Sequence, residues 1–103
     1  MKKQVALHRG HRRRMRHRYR MSGRMIETFS DHEMIEMLLF RTIKRTNTNE
    51  TAHCLLKRFG CIWLILRAER RELIRIAGIG TETASLLRLY GAVMGYIYSN
   101  TRK

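Results

Sequence analysis

Proline is absent from this chain of 103 residues, and aspartate occurs only once, at Asp31. Without proline, no helix interior is interrupted by a missing N–H donor, and alternating apolar patterns typical of β-strands are scarce. No apolar run approaches the roughly 20 residues that a membrane-spanning helix needs. We therefore predict an all-α protein with one modest core and no membrane partner.

Cysteine is also scarce, with only Cys54 and Cys61, and no secretory apolar segment precedes them. This usage is typical of a cytoplasmic protein with free thiols. We predict a cytoplasmic location, on the nucleoid if the protein is bacterial. Although His53 adjoins Cys54, the chain lacks the Cys-x-x-Cys pairs of common metal sites. We predict no metal or cofactor, and we expect Cys54 to pack as a small core residue.

Acidic residues are few, eight against 22 Lys and Arg, so the net charge is +14. Residues 1–24 contain ten of these cations and no acid, which predicts a basic N-terminal arm or helix. Residues 25–103 contain twelve cations and eight acids and form the predicted globular unit. Such an excess of positive charge indicates a polyanionic partner: nucleic acid, an acidic membrane surface or an acidic protein. We favour nucleic acid, because a membrane-bound helix would need a wider apolar face than Met15 and Tyr19 provide.

Apolar spacing and capping signals predict a five- to six-helix domain. Met15 and Tyr19 form one stripe on the basic helix, and Ser30-Asp31-His32-Glu33 is a capping box. Trp63 lies in a short apolar segment that we expect at the centre of the core. The predicted helices span residues 8–21, 31–40, 49–58, 62–66, 69–75 and 81–99.

Gly78-Ile79-Gly80 separates the last two predicted helices. Two glycines around one aliphatic residue permit positive φ and leave the backbone unobstructed. The amides of Gly78, Gly80 and Thr81 would then be free at the start of a helix, where the dipole favours a phosphate. The stretch resembles a helix-hairpin-helix motif, and we predict nucleic-acid contacts from Gly78 to Thr81 and from Arg75. The alternative is a structural turn that binds nothing.

A weak internal repeat suggests a tandem arrangement. The plan of helix, turn and helix also fits the region around residues 41–48, a degenerate first hairpin without glycines. Lys44, Arg45 and Thr48 are its candidate phosphate contacts. The N-terminal arm adds further candidate phosphate contacts at His11, Arg12, Arg13 and Arg16.

Several segments together resemble the N-terminal domain of RadC-family proteins, historically labelled DNA repair proteins. They are Gly10-His11-Arg12, the run from Ser30 to Phe40, Leu55-Leu56-Lys57-Arg58-Phe59-Gly60, and the Gly78-Ile79-Gly80 turn with Ala84. The resemblance implies a helix-hairpin-helix nucleic-acid-binding domain. Family members usually continue into a JAB/MPN-type domain with a His-x-His pair and an Asp on zinc; we expect this chain, whose only aspartate is Asp31, to lack that domain.

The chain lacks the residues that glycosylases with a similar hairpin use for catalysis. Helix-hairpin-helix glycosylases need a carboxylate after the hairpin, and bifunctional ones use a lysine as nucleophile. Here no acid follows Glu82, and no lysine lies between Lys57 and Lys103. We therefore predict that the chain is not an enzyme.

These observations predict non-catalytic, largely sequence-independent binding of nucleic acid through phosphates, with DNA favoured and RNA an alternative. The rival hypothesis is a protein interaction module in which the hairpin is structural. Its apolar last helix would dock a protein partner or a second copy through Gly91, Gly95, Tyr96 and Tyr98.

Overall fold

The computed structural model describes residues 10–23, 25–44 and 48–101, which form six α-helices, one 3₁₀ turn and no strand. This confirms the predicted small all-α domain. None of the helices within these residues combines the length and hydrophobicity needed to cross a bilayer. The helices are α1 (His11–Met21), α2 (Asp31–Leu39), α3 (Thr48–Phe59), α4 (Ile62–Arg67), α5 (Arg70–Ile74) and α6 (Thr81–Thr101), and the 3₁₀ turn spans Ile26–Thr28.

The main core lies between α2, α3, α4, α5 and the first half of α6. Each of these helices contributes apolar side chains from a single face, as the spacing of the sequence predicts. Ile79 of the glycine-containing turn is also buried in this core. Its fully buried members are Ile35, Leu39, Ala52, Leu55, Ile65, Leu73, Ala84 and Leu87.

A second, smaller cluster attaches α1 to α2. Met15 is buried there against Phe29 and Phe40, and Tyr19 packs at its edge. The ring of Tyr19 meets Phe29 edge-on, with 5.9 Å between ring centroids. The predicted contact stripe on the basic helix is thus confirmed, and its apolar side holds the helix on the body of the domain.

Polar side chains define where the helices begin and how they meet. The capping box is present: the Glu33 N–H donates to Ser30 Oγ at 3.2 Å, and the Ser30 N–H donates to Glu33 Oε1 at 3.0 Å. Asp31 Oδ2 accepts the N–H of Ile62 at 3.0 Å. The carboxylate of Asp31 therefore satisfies a free donor at the start of α4 and ties α4 to α2.

Two side chains expected in the core lie at the surface. Trp63 is 40% exposed, because the six-residue α4 buries Ile65 and Leu66 on its inner side. The guanidinium of Arg67 lies 5.4 Å from the centroid of the Trp63 ring, a cation–π arrangement. Cys54 is likewise exposed and carries a free thiol.

Gly91 and Gly95, both inside α6, have opposite surroundings. A Cβ at Gly91 would overlap the backbone carbonyl of Leu66, so the absence of a side chain lets α4 approach α6 closely. A Cβ at Gly95 would meet nothing within 4 Å.

This contrast gives a paired stability prediction. We expect Gly91→Ala to destabilise the fold by about 1–3 kcal/mol, because backbone must move to admit the methyl group. Gly95→Ala should stabilise it by about 1 kcal/mol through helix propensity. Urea unfolding followed by circular dichroism measures both, and equal effects would contradict the packing described here.

Candidate nucleic-acid interface

The turn between α5 and α6 uses its two glycines differently. Gly78 has φ +92°, a left-handed conformation that disfavours other residues. A Cβ there would also lie 2.9 Å from Thr51 Oγ1 of α3. Gly80 is outside the left-handed region, and a Cβ on it would meet nothing within 4 Å. Gly78 therefore shapes the turn, while Gly80 keeps its solvent side open.

Not every residue from Gly78 to Thr81 has a free backbone N–H. The Ile79 N–H donates to the Ile76 carbonyl at 3.0 Å, and its side chain is buried. Ile79 thus anchors the turn, which corrects its place among the candidate contacts. The N–H groups of Gly78, Gly80 and Thr81 donate to no acceptor in the described part of the chain. Those three amides lie at the start of α6, where an anion would be stabilised.

Contacts across the domain bring two basic segments close to the glycine turn. Thr42, between α2 and α3, shares a 2.7 Å hydrogen bond with Thr83 in the first turn of α6. Arg12 of α1 donates to the carbonyl of Phe40 at 3.4 Å. These two bonds bring the start of α1, the segment after α2 and the first turn of α6, which follows the glycine turn, close together. Lys44 is exposed in that segment.

The arm presents its cations on the side away from the body. Arg13 and Arg16 are exposed, as a direct phosphate contact requires. Arg20 follows at helical spacing and is exposed as well, so it belongs to the same row although the sequence analysis did not select it. Arg75, at the C-terminal end of α5, is also exposed.

His11 and Thr48 face inward and bond to Glu36, which is 2% exposed. His11 Nε2 lies 2.8 Å from Glu36 Oε2, and the buried Thr48 hydroxyl donates to the same oxygen at 3.2 Å. His32 Nε2 lies 3.0 Å from the other oxygen, Oε1. His11 and Thr48 therefore hold the fold together, which corrects their assignment as phosphate contacts.

Arg12 is turned partly toward the body as well. Its guanidinium lies 4.9 Å from the centroid of the Phe40 ring. Desolvation, and then the neighbouring charge of Arg16, lower the pKa of Arg12 from its usual value. The Arg12 guanidinium therefore lies at the edge of the candidate interface and not in the exposed row of Arg13, Arg16 and Arg20. Arg45 lies outside the described residues.

Two carboxylates limit the positive field at this end. Glu50, in the first turn of α3, and Glu82, beside the glycine turn, are both exposed.

Within the described ranges, no group of three or more His, Cys, Asp or Glu side chains is arranged to hold a metal ion. The ring of His32, which is close to Glu36, also contacts the ring of His53, with 4.1 Å between centroids and a tilt of 44°.

Comparison with known proteins finds curated relatives of this chain. The chain is 32% identical over 94 residues, 91% of its length, to UPF0758 protein FN0909 of Fusobacterium nucleatum subsp. nucleatum. The chain is a homologue of that protein. UPF0758 is a RadC-family name, which is consistent with a RadC-like domain. The chain spans 40% of the length of FN0909. No family model and no solved structure matches the chain.

Removing the buried carboxylate should destabilise the whole domain. We expect Glu36→Ala to lower the free energy of unfolding by about 2–3 kcal/mol, since three donors lose a shared charged acceptor. The exposed Glu50→Ala should change it by no more than about 0.5 kcal/mol. Urea unfolding of both variants tests this, and similar losses would contradict the central role of Glu36.

Acid should weaken the attachment of α1 through Glu33. Its hydrogen bonds from Arg18 lower the pKa of Glu33 from 4.5 to about 2. The stabilisation is fully present above pH 4.5 and is lost as the pH falls toward 2. Parent protein should therefore lose more stability than Glu33→Gln between pH 5 and pH 2.5. Parallel pH profiles for the two proteins would exclude this contribution.

Proposed function

We propose that this chain binds the phosphate backbone of nucleic acid, with DNA favoured, without reading bases and without catalysing a reaction. The observation that carries the proposal is the meeting of two basic segments with the free amides of the glycine turn. The Arg12–Phe40 hydrogen bond joins the start of α1 to the segment containing Lys44, and the Thr42–Thr83 hydrogen bond joins that segment to the first turn of α6, directly after the glycine turn.

The arginine row of α1 supplies most of the affinity in this proposal. Met15 and Tyr19 dock one side of the helix, so Arg13, Arg16 and Arg20 are held on the other side. A docked helix presents its cations with less loss of conformational freedom on binding than a disordered tail. Phosphate contacts of this kind position a protein on nucleic acid without carrying sequence information.

The glycine turn supplies a positioning contact. The free amides of Gly78, Gly80 and Thr81 can donate to one phosphate at the start of α6. Exposed Glu82 reduces the attraction for an anion there. The turn contains neither lysine nor aspartate, which supports a binding role without a nucleophile.

The homologue bears on the biological process in which this binding would take part. Its RadC-family name supports placing the chain as a RadC-like helix-hairpin-helix domain linked to DNA repair. We place it in the cytoplasm, on the nucleoid in a bacterium. RNA is the alternative ligand, since phosphate contacts do not distinguish the two sugars.

A protein interaction module is the second candidate function. It is favoured by the C-terminal half of α6, where Val93, Met94, Tyr96, Ile97 and Tyr98 are exposed. That surface lies away from the glycine turn, so the two functions do not compete for the same residues.

Salt should weaken binding strongly. If about six phosphates are neutralised, log K should fall against log salt concentration with a slope near −5. Fluorescence anisotropy with single-stranded, double-stranded and branched DNA, and with RNA, measures the slope and the preferred ligand. Affinity that does not change with salt concentration would overturn the proposal.

Variants separate the contributions of the arm and the turn. Arg13→Ala with Arg16→Ala should reduce the slope by about 2, whereas Arg67→Ala, on the exposed side of α4, should have little effect. Gly80→Glu should weaken binding and leave the fold intact, because a side chain there meets only solvent. If folded Gly80→Glu binds every ligand like the parent, the glycine turn is structural.

A further inference from the structure

The outer side of α6 carries four large apolar side chains in a row, which we call the outer seam: Leu89, Val93, Tyr96 and Ile97. Their spacing of four, seven and eight residues places them on one face of the helix. Each is between 46% and 70% exposed. Ala84 and Leu87 occupy the opposite face and are fully buried in the main core, so α6 is apolar on two sides and covered on one.

The size of the outer seam is that of an interface. Its four side chains expose roughly 400 Å² of apolar surface, within the range of patches that are often functional on single-chain proteins. A second helix along residues 86–101 would also cover the flanks of the seam. The buried area would then approach the roughly 1,200 Å² at the lower limit of specific interfaces.

The charge pattern points to a second copy as the occupant. No charged residue occurs from Leu89 to Thr101, although the whole chain has a net charge of +14. A surface that selects a different partner usually carries complementary charges beside its apolar centre. An uncharged seam instead lets two identical, strongly basic chains meet without placing like charges opposite each other.

The spacing of the seam also suits an identical helix. Leu89, Val93 and Tyr96 of the seam are spaced by four and then three residues, the pattern of helices that pack at a shallow angle. Flanking Ser85, Ala92 and Ser99 are small and would not obstruct a neighbouring helix. We propose that two copies of this chain associate through the outer seams of their α6 helices.

Salt should affect this association and nucleic-acid binding in opposite directions. Two chains of charge +14 repel each other, and salt screens that repulsion over about 8 Å at physiological ionic strength. Self-association should therefore strengthen as salt rises, while phosphate binding weakens. The dimer can thus fail or succeed independently of the proposed nucleic-acid function.

Sedimentation equilibrium of the full chain without nucleic acid, from about 5 to 500 μM, tests the proposal. We expect a concentration-dependent species of twice the 12.3 kDa monomer mass, with a dissociation constant in the tens of micromolar range. Val93→Glu should raise that constant at least tenfold, by opposing two carboxylates in the seam. Tyr96→Lys should act in the same direction if Val93→Glu does not fold.

Ile74→Glu is the matched control, because Ile74 is an exposed apolar side chain on α5, outside the seam. It should leave the dissociation constant unchanged. A parent chain that stays monomeric over the whole range would overturn the proposal and leave the seam to a different partner. A dimer that persists in both seam variants, or that is lost in Ile74→Glu, would also overturn it.

Discussion

The buried carboxylate of Glu36 is the point on which the arrangement of α1, α2 and α3 depends. It lies on α2 and contacts His11 of α1, His32 of its own helix and Thr48 at the start of α3. A buried carboxylate without partners would be strongly unfavourable, so these donors have to come together for the domain to fold. The position of the basic arm is thereby linked to the packing of the main body.

Other acids of the body are also engaged, although they lie nearer the surface. Glu33 pairs with Arg18, Glu72 with Arg58, Glu69 with Arg71, and Asp31 accepts an N–H from α4. Most of the few carboxylates are thus engaged in contacts within the chain. Arg13, Arg16 and Arg20 of α1 face outward. Little acidic surface remains to balance them in a chain that carries a net charge of +14, so the positive potential is concentrated there.

Local features of the sequence predicted local structure well. The capping box at Ser30 and Glu33, the stripe of Met15 and Tyr19, and the all-α class depend on residues a few positions apart. Thr48 shows where such reasoning ends. Its hydroxyl looked available for phosphate until the fold placed it beside Glu36, twelve residues away on another helix. Sequence spacing does not reveal a contact between helices, and it does not reveal that a buried acid such as Glu36 accepts a hydrogen bond from the Thr48 hydroxyl.

Trp63 illustrates the same limit for apolar residues. A single apolar run predicts burial, but a six-residue helix can bury only one side, and the core takes Ile65 and Leu66. Which side faces inward is decided by the close approach of α4 to α6 at Gly91. That approach depends on tertiary packing and has no local signal beyond the glycine itself.

The two ends of α6 give the proposed functions separate places. The helix has 21 residues, so it is about 31 Å long. Its N-terminus lies at the glycine turn and its outer seam lies toward the other end. Pairing through the seam would leave both phosphate-binding ends free. Two such ends on one dimer would bind a single nucleic acid with an effective concentration set by their separation, so each could remain individually weak. In the proposed dimer, the arginine row of α1 and a glycine turn weakened by Glu82 would then suffice for stable association.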